Sequence, residues 1–194
     1  SANLPAVMEM TFDAELDVYV DSADPTGNTD TDTLRIQANA SSIQRSFLKF
    51  DIAALEGKTV LSAEFGIHLN EYFEFNTPSM QLTYSDDDSW TVDTISWDNQ
   101  PSSHTAIGAS EHIEDPGQYY IWDVFPYWNN DEHDNSLVSY IFTLGNESDI
   151  YHAIFASSEA AENQPYLKVT YIPEPATMLL LGLGAICLRK PMKK

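Results

Sequence analysis

One cysteine, Cys187, stands in 194 residues, so no disulfide can form within the chain; stability must come from packing, with or without a bound ion. Cations are nearly as scarce, since only Arg35, Arg45, Lys49, Lys58 and Lys168 precede Pro173. Leaving out Glu174, 29 acids stand against those five bases, a balance of −24 in a chain whose overall net charge is −21. Nucleic acid is excluded as a partner, because phosphates are neutralised by clustered Lys and Arg. The usual motifs of catalysis are missing as well. His68, His104, His112, His133 and His152 form no His-Glu-x-x-His or His-x-His group, and no Gly-x-Ser-x-Gly elbow occurs. With so many acids, some carboxylate pair falls at a hydrolase spacing by chance, so the chain reads as a protein that is not an enzyme. Long stretches of helical spacing and internal repeats are absent too.

What is there is alternation of period two. Ala63, Phe65, Ile67 and Leu69 share one face while Glu64, His68 and Asn70 share the other, the mark of a half-buried antiparallel strand. Similar segments occur at 16–20, 34–37, 47–52, 80–84, 119–124, 137–144, 151–155 and 166–171, separated by turn-rich stretches. Phe125 to Asn129 has room for one helical turn. The fold class is therefore all-β, an antiparallel sandwich over residues 1–172. Two stretches, 21–32 and 99–117, read as long loops, which in a compact domain tend to carry function.

The last 22 residues differ in kind. Pro173-Glu174-Pro175 is followed by an apolar run from Ala176 to Leu188, then Arg189, Lys190, Lys193 and Lys194. As a helix the run reaches only ~20 Å against a hydrocarbon core of ~30 Å, too short for a comfortable permanent span. The basic end resists translocation, so residues before it are expected outside. This order of motif, short hydrophobic helix and basic end resembles the PEP-CTERM sorting signal over 173–194. The resemblance implies an exported protein of the cell envelope or extracellular matrix, transiently held in the membrane by this segment alone. It also implies processing near Pro173-Glu174-Pro175 by an exosortase-type enzyme. The chain opens at Ser1 with no signal peptide, which we read as a form whose export signal has been removed.

Between Asp17 and Tyr171 a series of local patterns runs in a fixed order. Asp17-Val18-Tyr19-Val20 leads into an Asp-rich loop and Thr33-Leu34-Arg35-Ile36; Arg45-Ser46-Phe47-Leu48-Lys49-Phe50-Asp51-Ile52 follows, then Ser62-Ala63-Glu64-Phe65. Next come Trp90 and Thr94-Ile95-Ser96-Trp97-Asp98-Asn99-Gln100-Pro101, then Asp123-Val124 with Trp128. Phe155-Ala156-Ser157-Ser158-Glu159 and Pro165-Tyr166-Leu167-Lys168-Val169-Thr170-Tyr171 close the series. The whole resembles the DNRLRE domain, also grouped as the family 96 carbohydrate-binding modules. That resemblance implies a jelly-roll sandwich that binds polysaccharide without catalysis, with acidic glycans of the alginate type as the substrate class. Ser158 departs from it, standing where the family tends to place a base before Glu159. The alternative is a structural or adhesive matrix component of the same fold with no specific glycan site.

Sugar recognition needs flat aromatic faces and planar polar groups, and a uronic acid also wants Arg or Lys. Arg35, Arg45 and Lys49 are the clustered cations, and alternation places Arg45, Phe47, Lys49 and Asp51 on one sheet face, expected to be exposed. Tyr72, beside Phe73 and Phe75, is the expected stacking residue, while the tryptophans, Trp97 and Trp128 above all, are expected in the interior. For Ca²⁺, oxygen ligands recur at Asp24, Asn28, Asp30 and Asp32; Asp86-Asp87-Asp88 and Asp131-Glu132-x-Asp134 are further options. The first stretch fails the EF-hand pattern, with Thr33 at the glycine position and Asn39 at the bidentate acid.

Overall fold

The computed structural model describes residues 6–74, 79–101, 104–112, 115–128, 136–148 and 150–173. Among the described residues are twelve strands, beginning with β1 (Met8–Asp13), β2 (Leu16–Asp21), β3 (Asp24–Thr29), β4 (Thr33–Ala38), β5 (Ile43–Asp51) and β6 (Thr59–Glu74). They continue with β7 (Ser79–Ser85), β8 (His104–His112), β9 (Gln118–Asp123), β10 (Leu137–Leu144), β11 (Tyr151–Ala156) and β12 (Tyr166–Ile172). Their order is β1-β12-β6-β11-β4-β5-β10-β7-β8, with β2 on β5, β3 on β2 and β9 on β6. The pairings are antiparallel. One curled sheet thus folds back on itself as a β-sandwich. Rings from strands that are not neighbours meet across the interior: Phe65 with Tyr140 at 5.4 Å, Phe50 with Phe65 at 6.1 Å, and Phe142 with Phe155 at 4.9 Å. Each is fully or nearly fully buried, and burying a side chain of that size stabilises the fold by roughly 1.5–3 kcal/mol.

Each segment read as a strand from its alternation is one. The helical turn for which Phe125 to Asn129 has room is a 3₁₀ turn over Phe125–Tyr127. The two stretches read as loops are corrected in part, because β3 lies within 21–32 and β8 within 99–117. The hydrophobic helix expected at 176–188 lies outside the described residues.

A second, smaller core sits on the outer side of the β2-β5-β10 layer. The chain from Asp86 to Pro101 folds over that face, bringing Trp90 and Ile95 onto Val18, Val20, Phe47 and Ile141. Asn28 of β3 clips this cover down, its Nδ2 donating to the Val92 and Ile95 carbonyls at 2.5 and 2.7 Å. Ser96 and Asn99 then bond reciprocally around the short 3₁₀ helix Trp97–Asn99, which aims Trp97 and Gln100 back towards β5. β5 is therefore covered on both faces over most of its length. The expectation of an exposed Phe47-Lys49 face fails for this reason: Phe47 is 0% and Lys49 4% exposed.

Candidate functional site

Where the cover ends, the outer face of β5-β10-β7 opens into a groove of about 370 Å³. Its floor carries Ile141 and Leu144; Gln81, Thr83, Thr143, Gln100, Asn146 and Glu147 supply polar groups, and Arg45 stands among them. Strand pairing sets this grouping, since Gln81 lies opposite Thr143 and Thr83 opposite Ile141, while β10 pairs with β5 on its other edge.

Arg45 is held from three sides. Its Nε and Nη2 donate to the two Glu147 carboxylate oxygens at 2.7 and 2.8 Å, a planar fork, and Nη1 donates to Gln100 Oε1 at 3.0 Å. The guanidinium carbon lies 4.6 Å from the centre of the Trp97 ring. Gln100 is fixed in turn by donating Nε2 to the Trp97 carbonyl at 2.8 Å, and Gln81 by donating to the Leu82 carbonyl at 2.8 Å. With about a quarter of each side chain exposed, the Arg45–Glu147 pair is part-buried and pre-organised. Three of the five guanidinium N–H donors are used, so two have no partner among the described residues. The groove can do one kind of chemistry well: present planar donors and acceptors, already oriented, to a ligand rich in hydroxyl groups.

The other expected residues fall elsewhere. Lys49 leaves the candidate site. Its ammonium is buried under the cover, 4.3 Å from the Trp90 ring, and donates to the Asp88 carbonyl at 2.7 Å and to the Trp90 carbonyl. Burial pulls its pKa below the ordinary lysine value, against the pull of Asp88, Glu15 and Asp87. Arg35 projects from β4, 5.5 Å above the Tyr19 ring, and does not line the groove. Tyr72 turns inward. A bulge leaves Asn70 unmatched between the Leu69–Phe155 and Glu71–Ile154 pairs, so Tyr72 packs against the main core with its ring 6.4 Å from Tyr151. The exposed ring is Phe73, 60% accessible and stacked on His152 at 5.9 Å. Trp90 and Trp122 are buried, whereas Trp97 and Trp128 are only partly so, a correction to the expected order.

Among the described residues no three His, Cys, Asp or Glu side chains stand close enough to hold a metal ion, so Asp24, Asp30 and Asp32 are not brought together. Asp24 opens β3 with its carboxylate against Gly27, and Asp30 and Asp32 lie exposed beyond the strand's other end. Asp131, Glu132 and Asp134 lie outside the described residues, as do Glu174, Pro175 and Arg189 of the sorting signal. Pro173 is the last described residue, directly after β12.

Residues 8–171 match Carbohydrate-binding module family 96. The chain belongs to that family. Residues 172–190 match the PEP-CTERM protein-sorting motif, which supports export and sorting to the cell envelope. No curated protein matches the chain. Family 96 thus makes carbohydrate the partner class of this sandwich, and the sorting motif implies processing by an exosortase.

Gln81, Gln100, Asn146 and Glu147 carry no mark in the sequence that would group them as lining residues of one groove. Gln100 belongs to the Trp97–Pro101 motif, which reads as packing, and Glu147 is one acid among many. The one signal is the polar run Gly145-Asn146-Glu147-Ser148 directly after the largely apolar strand Leu137–Leu144.

Proposed function

We propose that this family 96 module binds polysaccharide in the Arg45 groove, without catalysis, as a component of the cell envelope or matrix. The observation that carries the reading is the hydrogen-bonded Glu147–Arg45–Gln100 array, whose planar groups are of the kind that bonds vicinal hydroxyls and whose guanidinium is braced on Trp97. Glycoside hydrolysis by the usual route needs two opposed carboxyl groups, and Glu147 is the one carboxylate among the described lining residues.

The position of the groove fits a tethered receptor. Arg45 lies near the start of β5, and Asp51 ends it six residues on, ~20 Å away at ~3.3 Å per residue. From Asp51 the chain turns through Ala53–Leu55 into Thr59, which pairs with Ile172, so β12 ends at the pole opposite the groove. A membrane-held form would present the groove outward.

Affinity electrophoresis of the full chain through gels containing single polysaccharides tests the reading. Retardation by at least one polymer is expected, with Gln100→Ala weakening it about tenfold, the ~1–1.5 kcal/mol of a lost hydrogen bond in a formed site. Retardation that Gln100→Ala leaves unchanged would move the site away from the groove.

A further inference from the structure

We infer that the groove selects an uncharged, hydroxyl-rich glycan and rejects uronans, departing from the acidic class that the family resemblance implies. This inference rests on the groove being the glycan site.

The cations of the sandwich are accounted for one by one. Arg45 is forked onto Glu147, and Lys49 is buried with its ammonium on two carbonyls. Lys58 donates to the Ala54 carbonyl, and Lys168 lies between Glu9 at 3.3 Å and Glu64 at 3.5 Å. Arg35 has no carboxylate within 4.0 Å among the described residues, but it lies outside the groove. Among the described residues, therefore, no unmatched positive charge lines the groove.

A uronate approaching Arg45 meets Glu147 first. To take the guanidinium fork it must displace that carboxylate and leave it part-buried beside the incoming one, two like charges sharing one cation. The field of a domain with a −24 balance repels a polyanion before contact. The hydrogen-bonding capacity left over points the same way. Gln81 Oε1 and the Thr143 hydroxyl can accept, while Asn146 Nδ2 and the two remaining Arg45 N–H groups can donate. A hydroxyl uses both kinds, whereas a carboxylate can use only donors.

The test is affinity electrophoresis of the full chain and of Glu147→Gln in gels of galactomannan, xyloglucan, alginate or polygalacturonate. Each gel is run with and without calcium and at low and high salt. Wild type is expected to be retarded by a neutral polymer, insensitive to salt and to chelator, and to ignore both uronans. Glu147→Gln keeps a neutral hydrogen-bonding partner for Arg45 while freeing its charge, and is expected to gain retardation by alginate that high salt abolishes. Wild-type retardation by a uronan, whether salt-sensitive or calcium-dependent, overturns the inference and leaves the glycan reading standing. Failure of Glu147→Gln to gain alginate binding, with a melting curve matching wild type, overturns it too. No retardation by any of the polymers overturns the glycan reading itself.

Discussion

Asp17→Asn is expected to raise the melting temperature at pH 8 by ~5–10 °C, with the gain shrinking to nothing near pH 4. Asp17 is 1% exposed on β2; its Oδ2 accepts the Ser158 N–H at 2.6 Å, and its Oδ1 has no donor among the described residues. Burial is the main force on this carboxyl and pushes its pKa up to about 8 from an ordinary 3.8; the Ser158 N–H opposes the rise and the neighbouring Glu159 adds to it. For Glu159, burial pushes up, but bonds from the Ser158 and Ser157 hydroxyls and from Asp17 outweigh it and hold that group low. The shared proton sits on Asp17.

The sign follows from which state holds the proton. Above pH 3.8 the unfolded chain releases it while the folded chain keeps it, so stability falls as pH rises from there through about 8. At neutral pH the cost is about 2–4 kcal/mol, allowing for relaxation of the site. Asparagine retains an acceptor for Ser158 and never ionises, so the variant's stability should lose this slope. Ser158→Lys should flatten it by another route, placing a cation beside the Asp17 and Glu159 carboxylates. Thermal melts between pH 4 and 8 decide the matter; parallel profiles for wild type and Asp17→Asn would show that Asp17 ionises normally in the fold.

Trp90→Ala is expected to cost about 3–5 kcal/mol in urea unfolding, the range for emptying a buried aromatic position. The indole is 5% exposed, meets the Phe47 ring edge-on at 6.0 Å, and donates Nε1 to Ser139 Oγ at 3.1 Å. It also forms the face over which the Lys49 ammonium is buried. Removing it empties the small core and loosens the cover that carries Trp97 and Gln100, so polysaccharide retention should weaken along with stability. Trp97→Ala, at a part-exposed position, should cost only about 1 kcal/mol while still releasing Arg45. Equal losses for the two variants would mean that the 86–101 cover is not a packed element.

These expectations depend on features with unequal traces in the sequence. The central strands were legible because burial on one face imposes alternation, as at Ala63, Phe65, Ile67 and Leu69. β3 left no such trace: Asp24-Pro-Thr-Gly-Asn-Thr is held at an edge by pairing with β2 and by Asn28, with no apolar residue to betray it. β1 is likewise an edge strand among the described ones, pairing with β12, and its residues are mostly exposed. In β5 the alternation shows in the sequence and the exposure does not, since a cover arriving from Asp86–Pro101 buries the second face. Tyr72 and Phe73 exchanged roles because one unmatched residue, Asn70, reverses which side each successive residue faces. The groove was hidden for a different reason. Arg45 and Glu147 are 102 positions apart, and amides such as Gln81 and Gln100 follow no period that marks them in advance.

The most direct measurement follows the side-chain amide resonances of Gln81, Gln100 and Asn146 in isotope-labelled protein as galactomannan- or xyloglucan-derived oligosaccharides are added. The groove account predicts saturable shifts at these amides and at the Arg45 Nε–H, with the Phe73–His152 face unmoved. Shifts centred on Phe73, His152 and Arg35, with the three amides silent, would contradict it.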